Sequence, residues 1–342
     1  MSNCNNLFIK FNGELNITPS KKKKLIASRD ELRDTIRKHF TDKHAAYKPK
    51  FRGQGSYFLG TMIRTKDDTC DLDNGVYFFP KPEETGTTVQ GWIWDAVEKA
   101  TSEKPQHRKK CVRVIYKGDY HIDLPVYYKV NETNEAENPH LAVKDEDWQR
   151  SDPKEFKEWF LKKKDKEGQL IRIVRYLKAW CDNRAKKMPN GLTMTVLVAN
   201  NIKYKENRDD IALRDTLKQI KASLKAYWTC PMPTTPFDDL LADYEGDKDF
   251  FFKAIDDLIT DGTTAIETEK NQLKASKLWK KHLGGYFIEG EDADVDQRML
   301  SLAATAATIL AGGAKTNTTG AIQDKTGVGH LPHKNYGGDG IS

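Results

Sequence analysis

The segment 111–130, CVRVIYKGDYHIDLPVYYKV, constrains the fold of this chain more than any other segment. Two runs rich in β-branched and aromatic residues flank Lys117, Gly118 and Asp119, which is typical of an antiparallel hairpin. Pro125 interrupts the second run, so we expect that run to lie at a sheet edge or to end there. The segment therefore predicts a β-sheet in the first half of the chain.

Neighbouring segments alternate between helical and extended patterns. Residues 18–40 carry apolar side chains at helical spacing after Thr18 or Ser20, either of which can cap a helix. Residues 71–79, DLDNGVYFF, alternate in character and stop at Pro80, which indicates a strand. Residues 89–100 favour a short helix. Up to about residue 130 we therefore predict a mixed α/β arrangement with an antiparallel sheet.

The pattern becomes mostly helical after residue 150. Asp152 is a suitable cap, with Pro153 next and Glu155 three positions after the cap. Further helices are expected at 170–182, at 206–228 and, after a proline-rich break, up to about residue 311. The last 31 residues contain eight glycines. We therefore predict a first domain at 1–150, a helical domain at 151–311 and a flexible tail at 312–342.

Composition excludes several classes of protein. A net charge of +6 permits binding of phosphates or nucleic acid but does not require it. The five cysteines are scattered and odd in number, so neither a disulfide framework nor a zinc ribbon is expected. The sequence contains no H-E-x-x-H motif, so a zinc hydrolase is not expected. Because no apolar run reaches the roughly 18 residues of a membrane span, we expect a cytoplasmic protein without membrane attachment.

Acidic residues suggest a metal site. Asp71 and Asp73 are two positions apart on a predicted strand, so their carboxylates share one face. Two adjacent carboxylates repel each other, which favours a bound divalent cation such as Mg²⁺. The hairpin supplies Asp123 as a third carboxylate, and three can hold two metal ions. Upstream, Gly55 and Ser56 offer backbone N–H groups and a hydroxyl for a phosphate.

Each of these features also has a plainer interpretation. A D-x-D sequence at a strand end is commonly a solvated turn, Asp123 can be a surface residue of the hairpin, and Gly55 can serve backbone geometry alone. Their order within one predicted domain nevertheless favours catalysis, because all of them serve a single bound triphosphate.

These motifs resemble those of the CD-NTases, the cGAS/DncV-like nucleotidyltransferases. QGSYFLGTMIR, CDLDNGVYF and YHIDLPVYY are similar to the catalytic core, whereas RIVRYLKAWCD, MPNGLTMTVLVA and LKASKLWKKHLGGYF are similar to the helical segments. The resemblance covers roughly residues 15–310. It implies an α+β fold, in which a polymerase-β-like core with a mixed or antiparallel sheet packs against a C-terminal helical domain that completes the nucleotide cleft.

The resemblance also implies roles for individual residues. The catalytic residues and metal ligands would be Asp71, Asp73 and Asp123, which would hold two Mg²⁺ ions, with Mn²⁺ able to substitute. Nucleoside triphosphates would be bound by a second group of residues: Gly55, Ser56, Lys178 and Thr193.

Two of the implied phosphate-binding residues have open alternatives. Lys178 lies outside the apolar stripe formed by Ile173, Leu177 and Trp180, so it can equally be a solvated surface residue. Thr193 occupies a position where a hydroxyl often helps in this family, but Asn190 can take that place. The local sequence does not decide between these alternatives.

The implied activity is synthesis of a cyclic di- or trinucleotide second messenger from nucleoside triphosphates, with release of pyrophosphate, in anti-phage defence. Nucleic acid would not be required, and a regulatory protein could bind the tail, around residues 328–336. Two alternatives remain open: a non-cyclising RNA-tailing or linear oligonucleotide synthase, and an inactive nucleotide- or RNA-binding protein. The sequence does not decide the bases, the ring size, the linkage, the activating signal or the oligomeric state.

Overall fold

The computed structural model describes residues 2–311, 313, 315–319, 322–323 and 328–329. One mixed sheet with its covering helices forms the first part, and a helical layer forms the second. The sheet contains β1 (Lys50–Gln54), β2 (Asp71–Phe78), β3 (Gln106–His107), β4 (Val112–Tyr116), β5 (Tyr120–Leu124), β6 (Val126–Tyr128), β7 (His140–Leu141) and β8 (Gln149–Arg150). The helices that precede residue 100 are α1 (Asn5–Glu14), α2 (Pro19–Lys43), α3 (Gly55–Leu59) and α4 (Gly86–Val97).

β2 is the central strand of the sheet. The strand order is β3-β4-β5-β2-β6-β7-β8, and β1 pairs with β2 antiparallel. The first half of β2 runs parallel to β5, and its second half runs parallel to β6. All other pairs in this sheet are antiparallel. The sheet is therefore mixed, as the resemblance allows, and the two parallel pairs correct the antiparallel sheet that the strand pattern predicts.

The two faces of the central strands differ in chemistry. Leu72, Val76 and Phe78 of β2 are buried on one face, together with alternate residues of β4, β5 and β6. Helices α2 and α4 cover this face with apolar side chains, which gives the first part its core. The opposite face carries the polar residues of the same strands and borders a cleft.

The predicted helices and hairpin of the first part are confirmed, with shifted ends. The Thr18 hydroxyl accepts a hydrogen bond from the Lys21 N–H at the start of α2. β4 and β5 form the predicted antiparallel hairpin. β5 ends just before Pro125, which has no N–H to donate, while the Pro125 carbonyl accepts from the Val76 N–H at 2.9 Å. The strand therefore resumes as β6 without leaving the sheet.

The helical layer begins where the sequence predicts. Asp152 caps its first helix by accepting from the N–H groups of Lys154 and Glu155. Its helices are α5 (Pro153–Lys163), α6 (Gln169–Asp182), α7 (Gly191–Asn201), α8 (Asp209–Ala226), α9 (Lys248–Thr263), α10 (Gln272–Leu283) and α11 (Val295–Leu310), with a π-helical turn at Thr264–Thr268.

Helix α1 packs within the helical layer, although it precedes the sheet in sequence. Phe8 is fully buried and contacts the rings of Tyr176, Trp279 and Phe287 at centroid distances of 5.0–5.2 Å. The Tyr176 hydroxyl donates to the Phe8 carbonyl at 2.8 Å. No helix was predicted here, because ten residues with few periodic apolar positions give a weak local signal. Tertiary packing stabilises this helix.

Helix α11 and the residues after it complete the described chain. Within the described ranges, none of the helices has the length and apolar character that crossing a bilayer requires. The predicted flexible tail, 312–342, lies mostly outside the described residues, as does most of the expected partner-binding segment, 328–336. Its described part contains β9 (Lys315–Thr316), β10 (Ile322–Gln323) and β11 (Val328–Gly329), paired in the order β10-β9-β11.

We expect Phe8→Ala to destabilise the protein by about 3–5 kcal/mol, since it removes a buried ring and leaves a cavity between α1, α6 and α10. Denaturant unfolding of the full chain measures this change. Tyr227→Ala serves as the control, because that ring is 78% exposed and its loss should change the free energy of unfolding by less than about 0.5 kcal/mol. Equal stability of the two variants would contradict the placement of α1.

Candidate active site

Three carboxylates lie on the cleft-facing side of the sheet. Asp71 and Asp73 are two positions apart on β2 and share this face. In the parallel pairing with β5, Asp123 is the register partner of Asp73, and His121 is the register partner of Asp71. The structure therefore brings the three acids together at the wall of a cleft with a cavity volume of about 660 Å³.

Asp73 is the most perturbed of the three acids. Burial is the main cause that raises the pKa of its carboxyl to about 7, and the negative charges of Asp123 and Asp71 contribute to this rise. The positive charges of Arg113 and Lys178 oppose this rise in the pKa of Asp73. Near neutral pH, a substantial fraction of Asp73 therefore carries a proton when no cation is bound.

Arg113 pairs with the third acid. It stands opposite Asp123 in the β4–β5 register, and its Nε and Nη2 donate to the two carboxylate oxygens of Asp123 at 2.7 Å each. Its Nη2 also lies 3.6 Å from Oδ2 of Asp71. The sequence prediction missed Arg113, but a signal existed: counting five residues outward in both directions from Gly118 in the turn places residue 113 opposite residue 123.

Asp71, the most exposed acid, has a second neighbour on the same face. Nδ1 of His121 lies 2.9 Å from Oδ1 of Asp71, as the parallel register of β2 and β5 requires. Each of the outer two acids, Asp71 and Asp123, therefore already has a nitrogen-bearing partner in the structure.

The donor set fits a hard divalent cation, but the present conformation does not assemble a metal site. Three carboxylates with one strongly desolvated member provide the oxygen ligands that Mg²⁺ prefers. Within the described part of the chain, however, no cluster of three or more His, Cys, Asp or Glu side chains is arranged to hold a metal ion. The two oxygens of Asp123 are both directed at Arg113. Asp71, Asp73 and Asp123 could hold a cation after a local rearrangement.

Gly55 and Ser56 lie beside the acids, at the junction of β1 and α3. Gly55 has a φ of +70°, and a Cβ there would come within 1.8 Å of Oδ2 of Asp73. Only glycine fits this contact. Both residues line the cleft, and the Gly55 main chain lies against the Asp73 carboxylate.

Lys178 extends from α6 into the cleft rather than into solvent. Its ammonium group donates to the main-chain oxygen and to the hydroxyl oxygen of Thr61, both at 3.2 Å. Burial lowers the pKa of Lys178 to about 8, and the negative charge of Asp73 opposes this change. The side chain therefore brings positive charge from the helical layer to the acids of the sheet.

Thr193 is not placed in the cleft, in contrast to the sequence expectation. It is 1% exposed, and its hydroxyl contacts Oδ1 of Asn190 at 3.2 Å and the Leu240 carbonyl at 3.3 Å. Asn190, the alternative, caps α7 by accepting from the N–H groups of residues 192 and 193. Thr195, two residues further along α7, lines the cleft instead. Thr193 and Thr195 face nearly opposite sides of α7, because two residues turn an α-helix by about 200°.

The outer part of the cleft contains residues that the sequence prediction did not identify. Arg52 lies over the rings of Tyr77 and Phe79 at 5.1 and 5.7 Å. Tyr77 stacks on Tyr127 with a centroid distance of 4.8 Å. Arg52, Tyr77 and Tyr127 line the cleft, so its outer wall combines a cation with aromatic faces. A signal in the sequence was available, because alternate residues of β1 and β2 face the same side of the sheet as Asp71 and Asp73.

Comparisons with known proteins point to one family. Residues 49–127 match the family model described as "Cyclic GMP-AMP synthase DncV-like, nucleotidyltransferase domain". A cyclic GMP-AMP synthase of Escherichia albertii is 30% identical over 203 residues, which are 54% of this chain and 44% of that protein. A c-di-GMP synthase of Roseivirga ehrenbergii is 26% identical over 220 residues, which are 54% of this chain and 56% of that protein. The chain spans about half the length of the curated relatives it matches.

Solved structures show the same fold. The crystal structure of the Vibrio cholerae DncV cyclic AMP-GMP synthase superposes with a TM-score of 0.73 at 18% identity, covering 84% of this chain and 98% of that chain. The same enzyme in complex with the linear intermediate 5′-pppA(3′,5′)pG gives a TM-score of 0.68 at 20% identity, covering 81% of this chain and 93% of that chain. The fold is therefore that of a polymerase-β-like nucleotidyltransferase with a helical C-terminal region. In its matched core and in its fold, the chain is therefore similar to the DncV-like nucleotidyltransferases.

Proposed function

We propose that this protein is a Mg²⁺-dependent nucleotidyltransferase that converts nucleoside triphosphates into a cyclic di- or trinucleotide and pyrophosphate. The observation that carries the proposal is the convergence of Asp71, Asp73 and Asp123 on one face of the cleft, beside Gly55 and Ser56. The matched relatives support it, since their names describe synthesis of cyclic GMP-AMP and of c-di-GMP.

The three carboxylates would hold the metal ions. Members of this family use divalent metal ions, and we propose two Mg²⁺ here, with Mn²⁺ able to replace them. Such ions would neutralise charge on the reacting phosphates and activate the attacking ribose hydroxyl. Asp73 would bind in its unprotonated form, and Asp123 would lie close enough to accept the hydroxyl proton.

The triphosphate would lie between the sheet and the helical layer. Gly55 and Ser56 would donate their N–H and O–H groups to its oxygens, and no side chain at position 55 obstructs that approach. Lys178 would approach from α6 and stabilise the negative charge that develops on the leaving pyrophosphate. The cavity volume of about 660 Å³ falls within the range of small-molecule sites.

The wider role is part of the same proposal. The cyclic product would act as a second messenger that activates a separate effector in anti-phage defence in the cytoplasm, as the family resemblance implies. A regulatory protein would bind the tail, and nucleic acid would not be needed for activity. The relatives named as cyclic dinucleotide synthases support the messenger, whereas the defence role and the tail partner rest on resemblance.

We expect the full chain, incubated with Mg²⁺ and the four ribonucleoside triphosphates, to produce an oligonucleotide that resists phosphatase, because a closed ring has no terminal phosphate. Mass spectrometry of the treated products identifies the bases and the ring size. Asp73→Asn should abolish the product. Asp34→Asn should not, because Asp34 is exposed on α2 and pairs with Arg37 away from the cleft.

Other products would select the alternatives. Extension of added RNA, or a linear product that phosphatase degrades, would identify a polymer-extending enzyme. An absence of turnover, together with nucleotide binding that Asp73→Asn leaves unchanged, would identify a binding protein and refute the proposed catalysis.

We expect metal binding by the nucleotide-free protein to tighten as the pH rises through about 7, since Asp73 must lose its proton before it can ligate a cation. Below that pH, the unprotonated fraction falls about tenfold per unit. Titrations with Mn²⁺ between about pH 6 and about pH 8 measure the effect. Asp73→Asn should bind weakly with a flat profile, and a flat profile in the wild type would count against the role of Asp73.

We expect Lys178→Met to lower kcat/KM for nucleoside triphosphates by about 10²-fold, the usual effect of losing one group that stabilises transition-state charge. Steady-state kinetics measure the change. Lys187→Met is the matched control, because Lys187 is exposed and pairs with Glu245. Wild-type kinetics in Lys178→Met would show that Lys178 does not contact the reacting phosphates.

A further inference from the structure

Arg113 occupies the position between the outer two acids. The alternation of β4 turns Val112 and Val114 into the core and Arg113 toward the face that carries the acids. The guanidinium donates twice to Asp123 at 2.7 Å and approaches Asp71 to 3.6 Å. It therefore bridges two of the three carboxylates, which is also what a bound cation would do.

The ion pair between Arg113 and Asp123 is strong enough to affect the binding of a cation. The Arg113 and Asp123 side chains are 14% and 13% exposed, so water screens their attraction much less than it screens a surface ion pair. The geometry is bidentate, with two parallel N–H to O hydrogen bonds, which is the strongest arrangement that an arginine and a carboxylate form. Three carboxylates on one face also repel each other, and the guanidinium offsets that repulsion.

The same contact competes with metal ligation by Asp123. Both of its oxygens accept hydrogen bonds from Arg113, and a cation bound between Asp73 and Asp123 would lie against a positive guanidinium. Consistent with this, the described residues contain no assembled cluster of metal ligands, although the acids share one face. A cation that approaches Asp123 therefore meets the positive charge of Arg113 and competes with it for the same carboxylate.

We propose that Arg113 is a counter-ion that holds the place of a divalent cation in the resting site, and that metal binding displaces it from Asp123. The inference rests on the proposed function, because it concerns the same three acids. Arg113 acts through Asp123 and is therefore a positioning residue. It keeps the acids together in the absence of metal, and it weakens metal binding by competition.

A titration of the nucleotide-free full chain with Mn²⁺ tests the proposal directly. Electron paramagnetic resonance measures the concentration of free Mn²⁺ and so gives the affinity. Arg113→Gln should bind Mn²⁺ about tenfold to a hundredfold more tightly than the wild type, the range expected when one charge-assisted hydrogen bond no longer has to be broken. Loss of a merely structural arginine would weaken metal binding or leave it unchanged.

Two further variants separate competition from a general effect of charge. Arg113→Lys keeps the charge but cannot form the bidentate contact, so it should also bind Mn²⁺ more tightly than the wild type. Arg52→Gln removes a positive charge from the same cleft, but Arg52 lies over Tyr77 and Phe79 rather than between the acids. It should retain wild-type affinity within about twofold.

The outcomes are decisive for this proposal and separable from the proposed function. Unchanged or weaker Mn²⁺ binding in both Arg113 variants overturns the counter-ion role, and so does equal tightening in Arg52→Gln. The product assay with wild-type protein judges the function independently. A wild type that makes a cyclic product while Arg113→Gln leaves Mn²⁺ affinity unchanged refutes only the counter-ion role.

Discussion

The parallel pairing of β2 with β5 is the constraint on which the site depends. It places Asp123 beside Asp73 and His121 beside Asp71, while the alternate residues of the same strands fill the core beneath α2 and α4. A register shift of one residue would move the acids into the apolar core, where unpaired charge is very costly. Burial of the apolar face therefore fixes where the carboxylates point.

That arrangement creates electrostatic repulsion that the rest of the molecule must offset. Asp73 is desolvated and stands next to two other acids, and its pKa rises to about 7 in response. Positive charge reaches the acids from two directions, from Arg113 within the sheet and from Lys178 in the helical layer. In the metal-free site, positive side chains therefore offset the negative charge of the acids. A bound divalent cation would supply part of that positive charge instead.

The cleft lies between the sheet and the helical layer, and residues of both line it. Lys66 donates its N–H to Asp182 at 2.6 Å, and the Tyr286 hydroxyl donates to the Thr65 carbonyl at 3.2 Å, so the segment between α3 and β2 attaches the sheet to the helical layer. Helix α1 packs in the helical layer, so the chain crosses between the layers twice. Residues distant in sequence, such as Gly55 and Lys178, therefore face each other across the cleft.

The sequence by itself determined β2, the β4–β5 hairpin, the capped starts of α2 and α5 and the shared face of Asp71 and Asp73, because strand alternation and helix capping depend on residues close in the chain. Tertiary structure decided that Arg113 pairs with Asp123 and that Lys178 turns into the cleft. It also decided that Thr193 is buried beside the α7 cap, whereas Thr195 lines the cleft. These contacts depend on register and on how two layers pack. Local propensity carries no information about register or layer packing, since both bring together residues that are far apart in the sequence.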